Sequence, residues 1–250
     1  MVTPREPVPV GVLGASGRMG SEACQAIDGD RELRLAARVN RSDNLSLLAD
    51  AGAEVALDFT TPDAVAPNVR WCVDHGIHVV VGTTGLTDDD LDDIAAKSKD
   101  RGVSVFVAPN FAMGAVLMMV LAAHAAPYFR RAEIIERHHE NKRDRPSGTS
   151  LRTAALMNTA RSQAWSVEPD SRELLEGVGG GDAGGVRVHS VRMPGSVAHQ
   201  EVILGSPGET LTIRHDSIDR TSFMPGVILA LKKVRSLSGL TIGLEHLLEI

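Results

Sequence analysis

The sequence predicts an α/β protein, and three observations carry that expectation. Short Val- and Leu-rich runs alternate with polar helical stretches through the first hundred or so residues. The first of those runs leads directly into a glycine-rich turn, Gly14-Ala-Ser-Gly-Arg-Met-Gly20. Beyond about residue 110 the pattern changes to an apolar helix followed by runs that alternate with a period of two. Apolar runs separated by helices mark a parallel sheet covered on both faces, whereas two-residue alternation marks half-buried antiparallel strands. The prediction is therefore an α/β part followed by an α+β part.

In chain order, Val8–Leu13 reads as the first strand and Ser21–Ile27 as the helix that continues from the glycine turn. Leu33–Val39, Glu54–Phe59, Ile77–Val81 and Val103–Val107 read as strands two to five. Between them, Pro62–His75 reads as a helix capped by Thr61. Thr87–Lys99 reads as another, with Asp88, Asp89 and Asp90 complementing the dipole in its first turn. Ala112–Phe129 follows as an apolar helix and Glu133–His138 as a strand. Ser147-Gly-Thr149 then opens a helix that runs to about Arg161. Residues 166–185 read as a loop ending in a glycine tract, Gly177–Gly185. Val186–Met193, Val197–Leu204 and Thr210–His215 read as antiparallel strands. A last helix, Ser222–Arg235, could return to either part.

The chain of 250 residues is 43% hydrophobic and 23% charged, enough to bury one large core or two smaller ones. With only 3% aromatic residues that core must be aliphatic, and stacking platforms for nucleic acid are not expected. A net charge of −6 removes the footprint of a general DNA binder but leaves room for a local cationic pocket. Cys24 and Cys72 fit no metal-ligand spacing, and Cys24, beside Ala23 in a predicted helix, reads as a buried free thiol. Met1–Pro9 has no apolar signal region, and the longest apolar run, Ala115–Ala123, is too short to span a bilayer. A cytoplasmic protein without membrane or nucleic-acid partners is expected.

Gly14, Gly17 and Gly20 follow a hydrophobic strand and open a helix, the setting in which a pyrophosphate approaches a helix N-terminus. Their spacing is G-x-x-G-x-x-G rather than G-x-G-x-x-G, so a tight strand-to-helix connection is the alternative. At the end of strand two an acid would select the ribose hydroxyl of NAD, whereas an Arg would accommodate the phosphate of NADP. The sequence there, Arg38-Val-Asn40-Arg41, has no acid. An NADPH preference is expected, led by Arg41 with Asn40 beside it, with NADH as the weaker alternative. Gly82-Thr83-Thr84-Gly85 and Ala108-Pro109-Asn110-Phe111 sit at the carboxyl ends of strands four and five, where open sheets bind ligands.

Glu136–Thr149 is the densest polar stretch. From Arg130 to Arg145 there are six Lys and Arg against four Asp and Glu, plus His138 and His139. A charge run usually marks a solvated face. Here the paired histidines predict a strand end, and Pro146-Ser147-Gly148-Thr149 a helix start with free amides at Gly148 and Thr149. Imidazole, ammonium and helix amides at one place would bind carboxylates and deliver a proton. A zinc site of His138, His139 and Glu140 is disfavoured because adjacent histidines do not converge on one ion, so no metal is expected.

The run His138-His-Glu-Asn-Lys142-Arg-Asp-Arg-Pro-Ser-Gly-Thr149 resembles the H-H-x-x-K-x-D-x-P-S-G-T signature of the dihydrodipicolinate reductase family. Gly14–Met19, Gly82–Thr84 and Ala108–Phe111 resemble that family's cofactor motifs in order, and Gly208–Gly226 resembles its closing block in an actinobacterial form. The resemblance implies a Rossmann-type cofactor domain over residues 1–111 and 222–250. It implies a smaller α+β domain for substrate and tetramerisation over 112–221. The implied reaction is NAD(P)H-dependent reduction of 4-hydroxy-tetrahydrodipicolinate in the diaminopimelate route to lysine, by a homotetramer acting on a small dicarboxylate. It further implies His138 as catalytic acid/base, Lys142 as proton donor, and His139, Gly148 and Thr149 as substrate-binding residues. Gly14, Ala15, Ser16, Gly17, Arg18, Met19, Asn40, Arg41, Gly82, Thr83, Thr84, Ala108, Pro109, Asn110 and Phe111 would hold the cofactor. Departures from the pattern are Asn40 where an acid is frequent, Arg145 where Ala is common, and Gly179 where some relatives carry Arg. Two competing functions are a metal-assisted hydrolase and a non-catalytic dinucleotide sensor, and a sensor has no use for Lys142.

Overall fold

Val8–Leu13 forms strand β1 and is buried at every position, as a central parallel strand with both faces covered must be. These residues belong to a computed structural model that describes residues 6–166 and 173–248. The chain divides into two units, one holding the residues up to Phe111 and from Phe223 onwards, the other Ala112–Ser222.

In the first unit helix α1 (Arg18–Asp28) follows the glycine turn, then β2 (Leu33–Val39), a short helix α2 (Ser46–Asp50) and β3 (Val55–Asp58). Helix α3 (Val65–Asp74), β4 (His78–Val81), α4 (Asp88–Arg101) and β5 (Val105–Val107) continue the alternation. α4 has the cap its sequence predicts. The Thr87 hydroxyl accepts from Asp90 N, while the Asp90 carboxylate accepts from Thr87 N. α3 does not. Thr61 accepts the amides of Ala64 and Val65 through its backbone carbonyl, and the helix begins at Val65 with no side-chain cap. The residues Pro62, Asp63 and Ala64 form a turn first, which carries the helix start beyond the reach of the Thr61 hydroxyl.

The second unit opens with α5 (Met113–Ala125) and a 3-10 turn through Pro127, followed by β6 (Arg131–His138) and α6 (Gly148–Ala160). A two-residue strand β7 (Gly181–Asp182), β8 (Arg187–Arg192), β9 (Ala198–Ser206) and β10 (Glu209–Ser217) complete it. Part of the loop expected at 166–185 lies outside the described residues. The sheet order is β10-β9-β6-β8-β7, with β6 in the middle. β9 runs antiparallel to β6 and β10, but β8 runs parallel to β6. The expectation that β8 is an antiparallel strand is therefore corrected on its β6 side, while on the other side it pairs antiparallel with β7. α6 carries the chain back along the sheet between β6 and β8, and such a crossover makes the strands it joins parallel. One face of the sheet is buried, by Ala132, Ile134, Val188, Val202 and Leu204 among others; Ile135 opens to the opposite face.

The chain ends in the first unit with α7 (Met224–Lys233) and a three-residue strand β11 (Leu240–Ile242) that the sequence did not reveal. The first unit's six strands are all parallel, in the order β11-β5-β4-β3-β1-β2. The chain runs from β1 outward to β2 and then back past β1 to β3. This places the topological switch, and hence the ligand crevice of an open sheet, at the carboxyl ends of β1 and β3. Among the described residues no helix is long and apolar enough to cross a membrane.

Candidate active site

The turn after β1 is built around glycine. Gly14 takes φ 77°, and a Cβ there would collide with the Phe59 carbonyl at the end of β3. The amides of Gly14 and Ala15 donate to Val39 O at 2.8 and 3.3 Å, tying the turn to β2. Gly17 precedes α1 in extended conformation and brings no capping side chain. The first-turn amides of Arg18 and Met19 therefore lack intrahelical acceptors and face the positive end of the helix dipole. A glycine cradle of this kind, too tight for a Cβ and edged by free amides, fits a pyrophosphate.

The structure gives Asn40 a place in the glycine turn itself. Its Oδ1 accepts from Ser16 N at 2.8 Å, and its own amide donates to the Asp43 carboxylate at 2.8 Å. Asn40 thus pins the glycine turn to the end of β2. Arg38 pairs with Asp28 at 3.2 Å, and Arg41 is exposed. Asp43 thus places an acid at this corner from beyond the strand end.

Two further residues went unnoticed in the sequence, Asp58 and Phe59. Asp58 is fully buried at the end of β3. Its Oδ1 accepts from Thr60 N (3.0 Å), Thr60 Oγ1 (2.7 Å) and Thr83 Oγ1 (2.6 Å), and its Oδ2 from Asn68 Nδ2 (2.8 Å). One carboxylate thereby fixes the loops after β3 and β4. Beside it the Phe59 and Phe111 rings meet edge to face, 5.9 Å apart, with Gly82 packed against both. Ala108 N donates to Val81 O at 3.0 Å, setting the loop Ala108–Phe111 beside Gly82–Gly85. An Asp closing a Val- and Leu-rich strand, followed by Phe, Thr and Thr, was the available signal.

In the second unit β6 ends at His138, as the histidine pair predicted, and His139 beyond it is exposed. Glu136 lies two residues before His138, on the same face of the strand, and is fully buried. His138 Nδ1 faces Glu136 Oε2 at 2.5 Å, while Arg192 Nη1 and Nη2 donate to the two Glu136 oxygens at 2.8 Å each. Desolvation pushes the Glu136 carboxyl up, but the hydrogen bonds from His138, Arg192 and Ser190 outweigh it and hold the group at about 2. Lys142 Nζ donates to both Asp144 oxygens at 2.8 Å, and that bond keeps the Asp144 carboxyl below the usual range. His138 and Lys142 are each held by a carboxylate of their own, so the local cation excess is partly paired from within.

Ser147 caps α6 by accepting from Ser150 N at 3.2 Å. A buried chain supports this turn: Ser150 Oγ donates to Gln200 Oε1, Gln200 Nε2 to Thr153 Oγ1, and Thr153 Oγ1 to Thr149 O, at 2.8, 2.8 and 2.7 Å. Gly148 and Thr149 supply first-turn amides, and the space where a Gly148 Cβ would point is open. Arg145 is exposed. Gly179 N donates to Glu173 Oε1 at 3.0 Å. Among the described residues no group of three His, Cys, Asp or Glu could hold a metal ion.

Comparison with known proteins gives a consistent answer. Residues 8–111 match the family profile described as "Dihydrodipicolinate reductase, N-terminus", and residues 114–248 match "Dihydrodipicolinate reductase, C-terminus". A 4-hydroxy-tetrahydrodipicolinate reductase from Corynebacterium diphtheriae is 50% identical over 97% of this chain and 99% of its own length. One from Mycolicibacterium smegmatis is 51% identical over 96% and 99%. Among solved structures, a dipicolinate-bound dihydrodipicolinate reductase from Paenisporosarcina sp. TG-14 superposes with TM-score 0.89 at 36% identity, covering 97% of this chain and 100% of that one.

Proposed function

The chain belongs to the dihydrodipicolinate reductase family, and from that premise we propose that it reduces 4-hydroxy-tetrahydrodipicolinate to tetrahydrodipicolinate, with loss of water, in the diaminopimelate route to lysine. The observation that carries the reading is the segment His138–Thr149, where a strand end presents an imidazole, a loop an ammonium, and a helix start two amides. The first unit is the dinucleotide-binding domain and the second the substrate domain. Gly14–Met19 would hold the pyrophosphate of NAD(P)H, and the loops Gly82–Thr84 and Ala108–Phe111 its nicotinamide end. When bound, the nicotinamide supplies the hydride.

The amides of Gly148 and Thr149 hold a substrate carboxylate at the positive end of α6, and exposed His139 adds a donor there. Charge that develops on the ring is stabilised by cationic Lys142, whose Nζ delivers the proton as it exchanges Asp144 for the substrate. His138 acts as acid/base through Nε2, since Nδ1 faces Glu136. The dipicolinate in the Paenisporosarcina relative supports a small dicarboxylate as the ligand class. NADPH is the preferred reductant: Asn40 is committed to the glycine turn, which leaves Arg41 to meet a ribose phosphate, and Asp43 sets a limit on that preference. A cytoplasmic homotetramer is the proposed assembly.

The test is a coupled assay in which pyruvate, aspartate semialdehyde and the upstream synthase generate substrate while NADPH absorbance is followed. Turnover should collapse in Lys142→Ala with NADPH affinity nearly unchanged. No NADPH oxidation above background in the parent protein would defeat the assignment. Equal Michaelis constants for NADH and NADPH would defeat the preference, and sedimentation as a monomer would defeat the tetramer.

A further inference from the structure

We infer that Glu136 and Arg192 are positioning residues of this reaction: together they fix the His138 imidazole and the backbone that carries Lys142. The inference rests on the proposed acid/base role of His138. Neither residue is available to a ligand, with Glu136 0% and Arg192 2% exposed at the side chain. Arg192 ends β8 directly across from His138, so a guanidinium and an imidazole neighbour each other on adjacent strands with one carboxylate between them.

The geometry of that carboxylate is specific. A carboxylate only accepts, so His138 Nδ1 must be the donor in the 2.5 Å contact, and Nε2 is left as the nitrogen that can exchange a proton with substrate. The two Arg192 Nη groups take both Glu136 oxygens and prevent the carboxylate from rotating away. Arg192 Nη2 then reaches on to Asp144 O at 2.6 Å, and Asp144 is the residue that holds Lys142 Nζ. His138 and Lys142 are thus registered to each other through one ion pair, although they do not touch.

Stability alone is a poor account of this arrangement. A buried ion pair is often matched or bettered by apolar residues of equal volume. Here Arg192 Nε is also buried without a partner among the described residues, a cost that an apolar pair would avoid. Ser190, opposite Glu136 on β8, adds a further hydrogen bond to the carboxylate. Strand alternation puts Glu136 and His138 on one face of the central strand β6, which makes the sheet itself the reference frame for the imidazole.

The experiment is a mutant cycle in the coupled assay. Glu136→Gln keeps the volume, but a single amide oxygen cannot accept from both His138 and the Arg192 fork. kcat is expected to fall about 100-fold or more, since losing a histidine's orienting partner costs from roughly 10–100-fold up to about 10⁴-fold, with KM for NADPH unchanged. In a His138→Gln background the same change should cost far less than in the parent, with only the share that acts through Lys142 remaining, because groups that act as a unit are strongly non-additive. Losses that multiply in full would reveal a merely structural role and overturn the inference while leaving the reading of His138 intact. Full turnover in His138→Gln alone would overturn both. If Glu136→Gln does not fold, the volume-conserving pair Glu136→Met with Arg192→Met replaces it. That variant should fold and lose kcat, and retained turnover in it would refute the inference.

Discussion

Substituting Gly82→Ala isolates a steric demand in the first unit. Gly82 does not have a positive φ, so the new methyl introduces no backbone strain. It does land against the edge of the Phe59 ring and 2.8 Å from Phe111 Cε2, well inside the ~3.5–4.0 Å at which carbon atoms sit comfortably. Phe111 is 4% exposed and has nowhere to go, so the half-buried Phe59 must turn and give up its edge-to-face contact. Overpacking costs about 1–3 kcal/mol and the ring pair about 0.5–1.5 kcal/mol. A total near 2–3 kcal/mol corresponds to a drop in Tm of roughly 4–12 °C for a chain of this size. Urea and thermal unfolding followed through the first unit would measure it, alongside a fluorescence titration of NADPH, which should bind more weakly because the displaced ring borders Gly82–Thr84. Phe59→Leu should restore most of the stability in the Gly82→Ala background. A loss below about 0.5 kcal/mol, or no rescue by Phe59→Leu, would refute the packing argument.

Acid should unfold the second unit through Glu136. Its carboxyl stands at about 2 in the folded chain against 4.5 ordinarily. The stabilisation, roughly 3 kcal/mol, is therefore complete above pH 4.5 and disappears as the pH falls towards 2. Urea unfolding reported by Trp165 between pH 5.5 and 3 should show this loss in the parent protein and not in the Glu136→Met, Arg192→Met variant; equal losses in the two would refute it. Gln200→Leu removes the amide that ties α6 to β9 and leaves the Ser150 and Thr153 hydroxyls short of a partner. It should raise KM for the dicarboxylate and cost about 1–3 kcal/mol, and a change in KM for NADPH instead would contradict the assigned support. Burial, with the Asp58 charge as a smaller cause, pushes the Cys72 thiol up to about 12, and Cys24 is 4% exposed. Thiol reagents should label both residues only after unfolding, and fast labelling of the native protein would count against the buried core around α1 and α3.

The parts of the molecule that were legible in the sequence are those whose cause is local. Val8–Leu13 and Leu33–Val39 match their strands to the residue; the first is an unbroken run without a charge, and the second is a short Leu-, Ala- and Val-rich run, broken by Arg34 and Arg38, that follows the polar turn after α1. The α4 cap is written in Thr87 and Asp90, three residues apart. The direction of β8 was not legible, since alternation records one-sided burial and carries no information about polarity. β11 is three residues long and is a strand only because β5 lies beside it. The site divides in the same way. His138, Lys142, Gly148 and Thr149 are named through the resemblance of the run His138–Thr149 to the family signature. Glu136 counted as one charge among many, because the fork that makes it a buried anchor arrives from Arg192, 56 residues away. The tie from Asn40 to Ser16, 24 residues back along the chain, is likewise invisible in the local sequence.

The row Gln200–Glu136–Ser190 crosses three strands at one level of the second sheet, on the face covered by α6. A hydrophobic face tolerates sliding: moving β6 by two residues would keep every apolar side chain pointing inward. Slid one way, it would set the carboxylate level with Val188 and Val202; slid the other, level with Arg192 and Ala198, two residues from the Gln200 and Ser190 that now flank it. Alternative registers that the oily residues cannot tell apart are thus separated by the cost of a stranded buried charge. The polar row works as a key cut into the sheet. A sequence drifting under mutation can exchange Ile134 or Leu204 for another aliphatic one at a time, but Glu136 and Arg192 can change only together.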